Sequence, residues 1–281
     1  EFLSIEVPDI ERRRHIGISM NPQLMDIINN DYIRLPIQFK YGLAKNIELS
    51  VRPVTYIHNP RRKTVGLGIA DLDMGIKYRF LHILRRHVSM AFAFHTIYPV
   101  GSNPELMDGY VHYKPRLIVS KTLEDFHKLQ VVSSIGWNLI DGASEPLLVE
   151  DEVKKDITQL SFGLRLPRDP FAWSLEFVYT TDKPDNGEYE ALTVTPGWHW
   201  NIPREQAEWF PGDLGLSLGV GFGFMDAKDV EYITKVRATI PIHVNVDLER
   251  GEVEFKSEEL RDAFRKINER LKGSKQPEPG R

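Results

Sequence analysis

The sequence predicts an all-β chain: a twelve-stranded antiparallel up-and-down transmembrane β-barrel followed by a short C-terminal helix. Three observations predict it. Apolar and polar residues alternate with a period of two through one segment after another. These segments run ten to twelve residues, which matches the roughly 9 to 11 tilted residues that cross a bilayer and is about twice an ordinary strand. The polar face is also unusually rich in small residues.

Composition narrows the class further. The 281 residues are 27% charged and 41% apolar, with a net charge of −4. That is too apolar for a disordered chain and too balanced for a Lys/Arg-rich nucleic-acid binder, so no nucleic-acid partner is expected. With no cysteine, disulfide scaffolds, thiolate metal sites and cysteine nucleophiles are excluded. Glu1 to Arg14 carries scattered charge and no basic start followed by an apolar core, so no signal peptide is read there. The longest stretch without Asp, Glu, Lys or Arg, His87 to Pro104, holds two histidines, two prolines and strict alternation, which argues against a transmembrane helix. If this chain meets a membrane, strands cross it.

The clearest strand runs from Tyr32 to Leu43. Ile33, Leu35, Ile37, Phe39, Tyr41 and Leu43 fall on one side, and Arg34, Pro36, Gln38, Lys40 and Gly42 on the other. A helix would mix Arg34 and Lys40 among the apolar residues, whereas a strand separates the two sets. After Ala44-Lys45-Asn46 the period returns with Ile47, Leu49, Val51, Pro53 and Ile57 against Glu48, Ser50, Arg52 and His58, making a tight hairpin. It returns as Leu72, Met74, Ile76, Tyr78 and Phe80 against Asp71, Asp73, Gly75, Lys77 and Arg79. Val88, Met90, Phe92 and Phe94 then alternate with Ser89, Ala91, Ala93 and His95. Further strands are read near 109–122, 128–140, 157–167, 171–182, 189–201, 214–225 and 230–243, with an opening strand near His15 to Gln23.

Links are short at 44–46, 83–86, 124–127 and 168–170 and long near 22–31, 59–67, 100–108 and 141–155, so one rim carries turns and the other loops. The short links 183–188 and 226–229 and the long 202–213 depart from that rule. Alternation stops after His243. Ser257 to Lys272 then places Leu260, Ala263, Phe264, Ile267 and Leu271 at helical spacing, behind a Ser257 cap and before Gly273 as a stop. The expected organisation is an N-terminal periplasmic segment over 1–14, the barrel over 15–244 and a periplasmic extension over 245–281. Leu260, Phe264 and Ile267 of its helix, 257–272, would offer an apolar face to a periplasmic or membrane protein partner.

Alternation alone also allows a soluble sandwich or a soluble ligand-binding barrel with the apolar face inside. Strand length, aromatic placement and the small polar face favour the inverse. Tyr41, Tyr78, Phe80, Phe171, Trp173, Trp198 and Trp200 lie toward the short-turn rim, and Tyr98, Tyr179, Phe224 and Tyr232 toward the loop rim, as two interfacial girdles would. Gly215, Ser217, Gly219, Gly221 and Gly223 alternate with large apolar residues; a confined lumen requires small side chains, whereas an open surface does not. Leu35, Phe39, Phe92, Val220 and Phe222 are therefore expected to face outer-membrane lipid, with both termini periplasmic.

Three stretches carry a family resemblance: LPIQFKYGLAKNIELSVRP (35–53), GLGIADLDMGIKYRFL (66–81) and GDLGLSLGVGFGF (212–224). The shared features are Tyr41-Gly42-Leu43 before the turn with Glu48 after it, Gly68 to Asp71 followed by Gly75 and Lys77, and the Gly-rich eleventh strand. Together they resemble the outer-membrane β-barrel family of transporters of the phenol meta-cleavage (MetA) pathway, over residues 32–242. The resemblance implies a small outer-membrane barrel and passage of hydrophobic or aromatic compounds. Such barrels usually finish at a terminal aromatic, whereas this chain continues well past Ile242.

No Gly-x-Ser-x-Gly elbow, His-Glu-x-x-His or P-loop is present, and the nine histidines show no metal-ligand spacing, so no catalytic, metal or cofactor site is expected. A barrel-embedded hydrolase with Ser and His facing lipid is the enzyme alternative. His87, His95, His112 and His199 share the polar face, and Asp182, Asp185 and Glu188 read as a solvated acidic turn. Parity points Arg34, Lys40, Arg52, Lys77, Arg79, Lys114, Arg116, Arg165, Lys235 and Arg237 inward, together with Glu48, Asp71, Asp73 and Glu176, giving a lumen that leans basic.

Buried charges must pair or stay hydrated. Arg52 or Lys40 with Glu48, and Asp71 or Asp73 with Lys77 and Arg79, are therefore expected to form cross-strand ladders. Such ladders either close the barrel or leave a path for water and anionic solutes. Twelve strands fall between the roughly eight that fill with side chains and the roughly 16 that leave an aqueous channel. The favoured expectation is a narrow outer-membrane channel for small solutes, hydrophobic or anionic. Its rival is a plugged barrel serving as a membrane anchor or as a subunit of a larger outer-membrane complex.

Overall fold

The computed structural model describes residues 2–22, 32–58, 67–83, 88–101, 109–141, 156–182, 189–210, 212–227, 230–241, 244–247 and 252–255. Twelve antiparallel strands close into one barrel. They are β1 (His15–Met20), β2 (Tyr32–Ala44), β3 (Ile47–His58), β4 (Leu67–Ile83), β5 (Val88–Pro99), β6 (Val111–Leu123), β7 (Leu129–Asp141), β8 (Ile157–Arg168), β9 (Phe171–Thr181), β10 (Glu190–Ile202), β11 (Asp213–Met225) and β12 (Val230–Pro241). Each strand pairs with its sequence neighbour. The short β1 seals the barrel between β12 and β2, with Ile18 opposite Ala238 on one side and Phe39 on the other. Closure leaves no strand edge unpaired, which is the condition for putting a sheet into lipid.

The two faces are inverted relative to a soluble barrel. Trp173 is 59% exposed, Phe92 44% and Phe222 42%, and Phe39 is exposed beside them, while Leu35 and Val220 are half-buried. Glu176 is 0% exposed, and Lys77, Glu48 and Asp73 are almost as deeply buried. Charged residues are almost never fully buried in soluble proteins unless paired, and apolar residues dominate their cores. This distribution turns the greasy face outward.

Parity survives irregularities in the ladder through β-bulges. Val54 faces Asp71 and Thr55 faces Ile69, so Ala70 is an extra residue in β4. The bulge returns Ile69 to the outer face, where it is exposed. Aromatic side chains gather at the short-turn end of β9 and β10, where the Phe171 ring stacks on Trp198 with centroids 5.4 Å apart.

The chain past the barrel differs from the sequence reading. Alternation was expected to end at His243, but β13 (Val244–Asp247) and β14 (Glu252–Phe255) form a separate two-stranded antiparallel sheet, with Val244 opposite Phe255. Two four-residue strands carry only two periods each, too few to stand out in a sequence. The helix read over 257–272, with Leu260, Phe264 and Ile267, lies outside the described residues.

Candidate functional site

Residues 2–11 lie inside the barrel. Before β1 begins, Arg14 N–H donates to the Gly42 carbonyl at 2.8 Å and His15 N–H to the Arg12 carbonyl at 2.9 Å, which anchors the segment at the short-turn end of β2. Gly42 permits that passage. A Cβ there would stand 2.1 Å from the Arg12 carbonyl oxygen, a backbone atom that cannot give way.

From this anchor the segment runs back into the bore. Glu11 N–H donates to Glu48 of β3 at 2.7 Å, and the Glu11 carboxylate meets Arg237 of β12 at 3.4 Å. Glu6 lies 3.5 Å from Lys77 of β4, 3.7 Å from His95 of β5 and 4.0 Å from Arg116 of β6. On the far wall, Glu176 of β9 accepts from the N–H groups of Leu3 at 2.7 Å, Ser4 at 2.8 Å and Ile5 at 3.0 Å, and from the Ser4 hydroxyl at 2.6 Å. Lys235 of β12 donates to the Phe2 carbonyl at 3.4 Å. A segment that reaches β3 to β6 on one side and β9 and β12 on the other occupies the interior of a closed cylinder.

Packing explains the small inner residues. Phe2 and Ile5 form a buried apolar cluster with Ala93, Ile118 and Val132. A Cβ on Gly163 would stand 2.7 Å from the Phe2 ring and 3.2 Å from Ile5, and one on Gly219 would stand 2.3 Å from Leu3. The glycines of β8 and β11 thus make room for residues 2–5. Gly163→Val should push Phe2 and Ile5 off the wall at a cost of about 1 to 3 kcal/mol. The test is the melting temperature in detergent, which should fall in the intact chain and stay unchanged in a chain lacking 2–11.

The expected ladders form with different partners. Glu48 pairs with Lys77 at 3.0 Å and Arg52 with Asp73 at 2.5 Å. In both pairs the residues stand directly opposite across β3 and β4, and direct opposition decides which charges meet. Asp73 also holds His95 Nδ1 at 2.9 Å. Arg79 reaches Asp9 at 4.0 Å and the Lys45 carbonyl at 3.3 Å. Arg116 bonds Gln159, and Arg165 bonds Gln130 at 3.0 Å.

The remaining predicted positions fall along the wall. Lys40 and Arg237 line a polar cavity of about 280 Å³ at the short-turn end, together with Glu11, Arg12, Glu48 and Asp213. Asp71 and Lys114 are half-buried, and Arg34 is exposed. His112 bonds Asn138 at 2.9 Å. His199 sits between two hydroxyls, 2.8 Å from Ser217 through Nδ1 and 2.8 Å from Ser174 through Nε2.

Burial works against the Glu6 charge, but the Lys77 ammonium, followed by the His95 ring and Lys40, outweighs it and holds the Glu6 carboxyl well below the ordinary carboxylate range. The sign follows from linkage. A lowered pKa stabilises the seated segment fully above the ordinary value, and that stabilisation fades only as pH falls through the lower one. Residues 2–11 should therefore stay seated from neutral pH to the ordinary Glu range near 4.5; unchanged amide-exchange protection of Leu3 to Ile5 across that interval checks it.

No protein-family model matches the chain. Among curated proteins, the pyruvate dehydrogenase E1 component of Corynebacterium glutamicum is 24% identical over 197 residues, covering 61% of this chain and 21% of that protein. The chain thus spans about a fifth of the length of that relative. Among solved structures, an outer-membrane channel from Pseudomonas putida F1 aligns at TM-score 0.55 and 11% identity, over 85% of this chain and 99% of that one. The KdgM porin aligns at TM-score 0.48 and 12% identity over 82% and 99%, and the CymD monoaromatic hydrocarbon channel at 0.45 and 9% over 83% and 90%. The first of these likenesses establishes that this chain shares the fold of an outer-membrane channel barrel.

Proposed function

We propose that this chain is an outer-membrane channel for small solutes and that residues 2–11 close its bore. The carrying observation is the N-terminal segment running through a barrel that is apolar outside and ionic inside. In such barrels the short turns are periplasmic, so the segment would enter from the periplasm. The outer face, with Leu35, Phe39, Phe92, Val220 and Phe222, would contact lipid, and the inner charges would line the solute path. No bond-making chemistry is part of this reading. The resemblance to the MetA-pathway transporters supports hydrophobic or aromatic cargo.

Planar-bilayer recording tests the proposal. The intact chain should be closed for most of the record, and a chain lacking residues 2–11 should pass a steady ohmic current. Silence from the folded deletion variant would refute it.

A second reading is favoured by the number of bonds that hold Leu3 to Glu11 in place: a sealed barrel that anchors a larger assembly through residues 245–281. Loss of a co-purifying partner on deleting 245–281, from a barrel that never conducts, would support that reading instead.

A further inference from the structure

Glu6 brings a carboxylate to a place built from cations. Around it stand Lys77, His95 and Arg116, at 3.5, 3.7 and 4.0 Å. Arg52 lies just behind, bound to Asp73, and Glu48 takes the other side of Lys77. Without Glu6, three permanent cations, Arg52, Lys77 and Arg116, face two carboxylates, Glu48 and Asp73, with His95 added. Lys40 acts on Glu6 and Lys114 on Asp73 with the same sign. Withdrawing residues 2–11 would leave that excess in a narrow bore, where uncompensated charge is costly. An anion entering the bore would then find a ready place where Glu6 had been.

The distances point to the kind of anion. Charge-assisted hydrogen bonds between carboxylates and cationic nitrogens are ordinarily about 2.7 to 2.9 Å long. Glu6 stands 3.5 to 4.0 Å from its three cations, and the neighbouring Leu3 to Ile5 are tied to Glu176 across the bore. A free carboxylate carries no such tether and can settle between Lys77 and Arg116 at full contact. We infer that Lys77, His95 and Arg116 form a binding site for the carboxylate group of a small organic acid, which Glu6 occupies in the closed barrel. The inference deepens the channel reading and rests on it. It makes the segment a competitor of the solute, so a carboxylate arriving in the bore favours the open form.

Two experiments test it. In the chain lacking residues 2–11, potassium acetate added to a potassium chloride bath should reduce the chloride current, and a salt gradient should show anion preference. Arg116→Gln in that background should weaken the acetate block roughly tenfold, the order expected for losing one charged hydrogen-bond partner. A conducting barrel that prefers cations, or that acetate does not block, overturns the site and leaves the channel standing; silence from the folded barrel overturns the channel itself.

The second experiment needs no current. Glu6→Ala in the intact chain should lower the melting temperature, and sodium formate should restore it more than sodium chloride of equal ionic strength. Equal restoration by both salts, or by neither, overturns a carboxylate site.

Discussion

Glu176→Leu should release residues 2–5 from the wall of the bore while leaving the barrel standing. Glu176 is fully buried, and it satisfies three consecutive backbone N–H groups and one hydroxyl of the segment. Leucine keeps the volume and removes every acceptor. Each buried N–H left without a partner costs about 1 to 3 kcal/mol, so three of them, which are not strictly additive, amount to several kcal/mol. Against that loss stand the Phe2 and Ile5 contacts, the Lys235 bond to the Phe2 carbonyl, the Glu6 ion pairs and the hold of Glu48 and Arg237 on Glu11, so the loss falls on residues 2–5. The barrel ladder is unaffected, because Thr195 and Gly163 meet position 176 through backbone atoms.

Amide exchange in micelles should therefore show Leu3, Ser4 and Ile5 passing from protected to fast, with the strands unchanged. Bilayer recording should show a rise in open time. Glu176→Gln, which keeps one oxygen, should fall between the two. Undiminished protection in the leucine variant would mean that other contacts hold the segment.

The second large effect concerns the outside. Phe92 lies near the middle of β5, is 44% exposed and pairs with Tyr78 and Leu117 on the neighbouring strands. In lipid, Phe92→Arg should cost about 2 to 4 kcal/mol of folding free energy, the range for a cation at the bilayer midplane. Phe126 provides the contrast. It is 66% exposed in the tight turn Glu124–Phe126, off the apolar band, and Phe126→Arg should change stability by little. Denaturant titration of both variants in lipid vesicles distinguishes the cases. Equal costs would mean that Phe92 meets no hydrocarbon.

Much of the fold was legible because a strand writes its two faces into the sequence locally. The period of two from Ile33 to Leu43 separates the faces of β2 without knowledge of its neighbours. The same parity put Glu48, Asp73 and Lys77 on one side. Which of them touch was not legible: Glu48 meets Lys77 because β3 and β4 align those two positions, and a shift in pairing would have chosen other partners. The bulge at Ala70 was likewise invisible, since it depends on the partner strand.

Residues 2–11 carried the weakest signal. Leu3, Ile5 and Val7 alternate with Ser4 and Glu6, but the run is too short to be read as an element. Among the described residues it pairs with no strand along its length, and a bridge follows only at Arg13. Its contacts come from side chains separated from it by up to 233 positions. The glycines of the eleventh strand did signal a confined interior, but they could not say what confines it.

By itself the sequence determined twelve strands, their order and the sidedness of each, because alternation and turn spacing are properties of neighbouring residues. Only the closed barrel decided the ion pairs and the occupant of the bore. Curling the sheet sets β4 and β9 against the same segment, Lys77 on Glu6 and Glu176 on Leu3, and nothing local records which carboxylate will find which amide there.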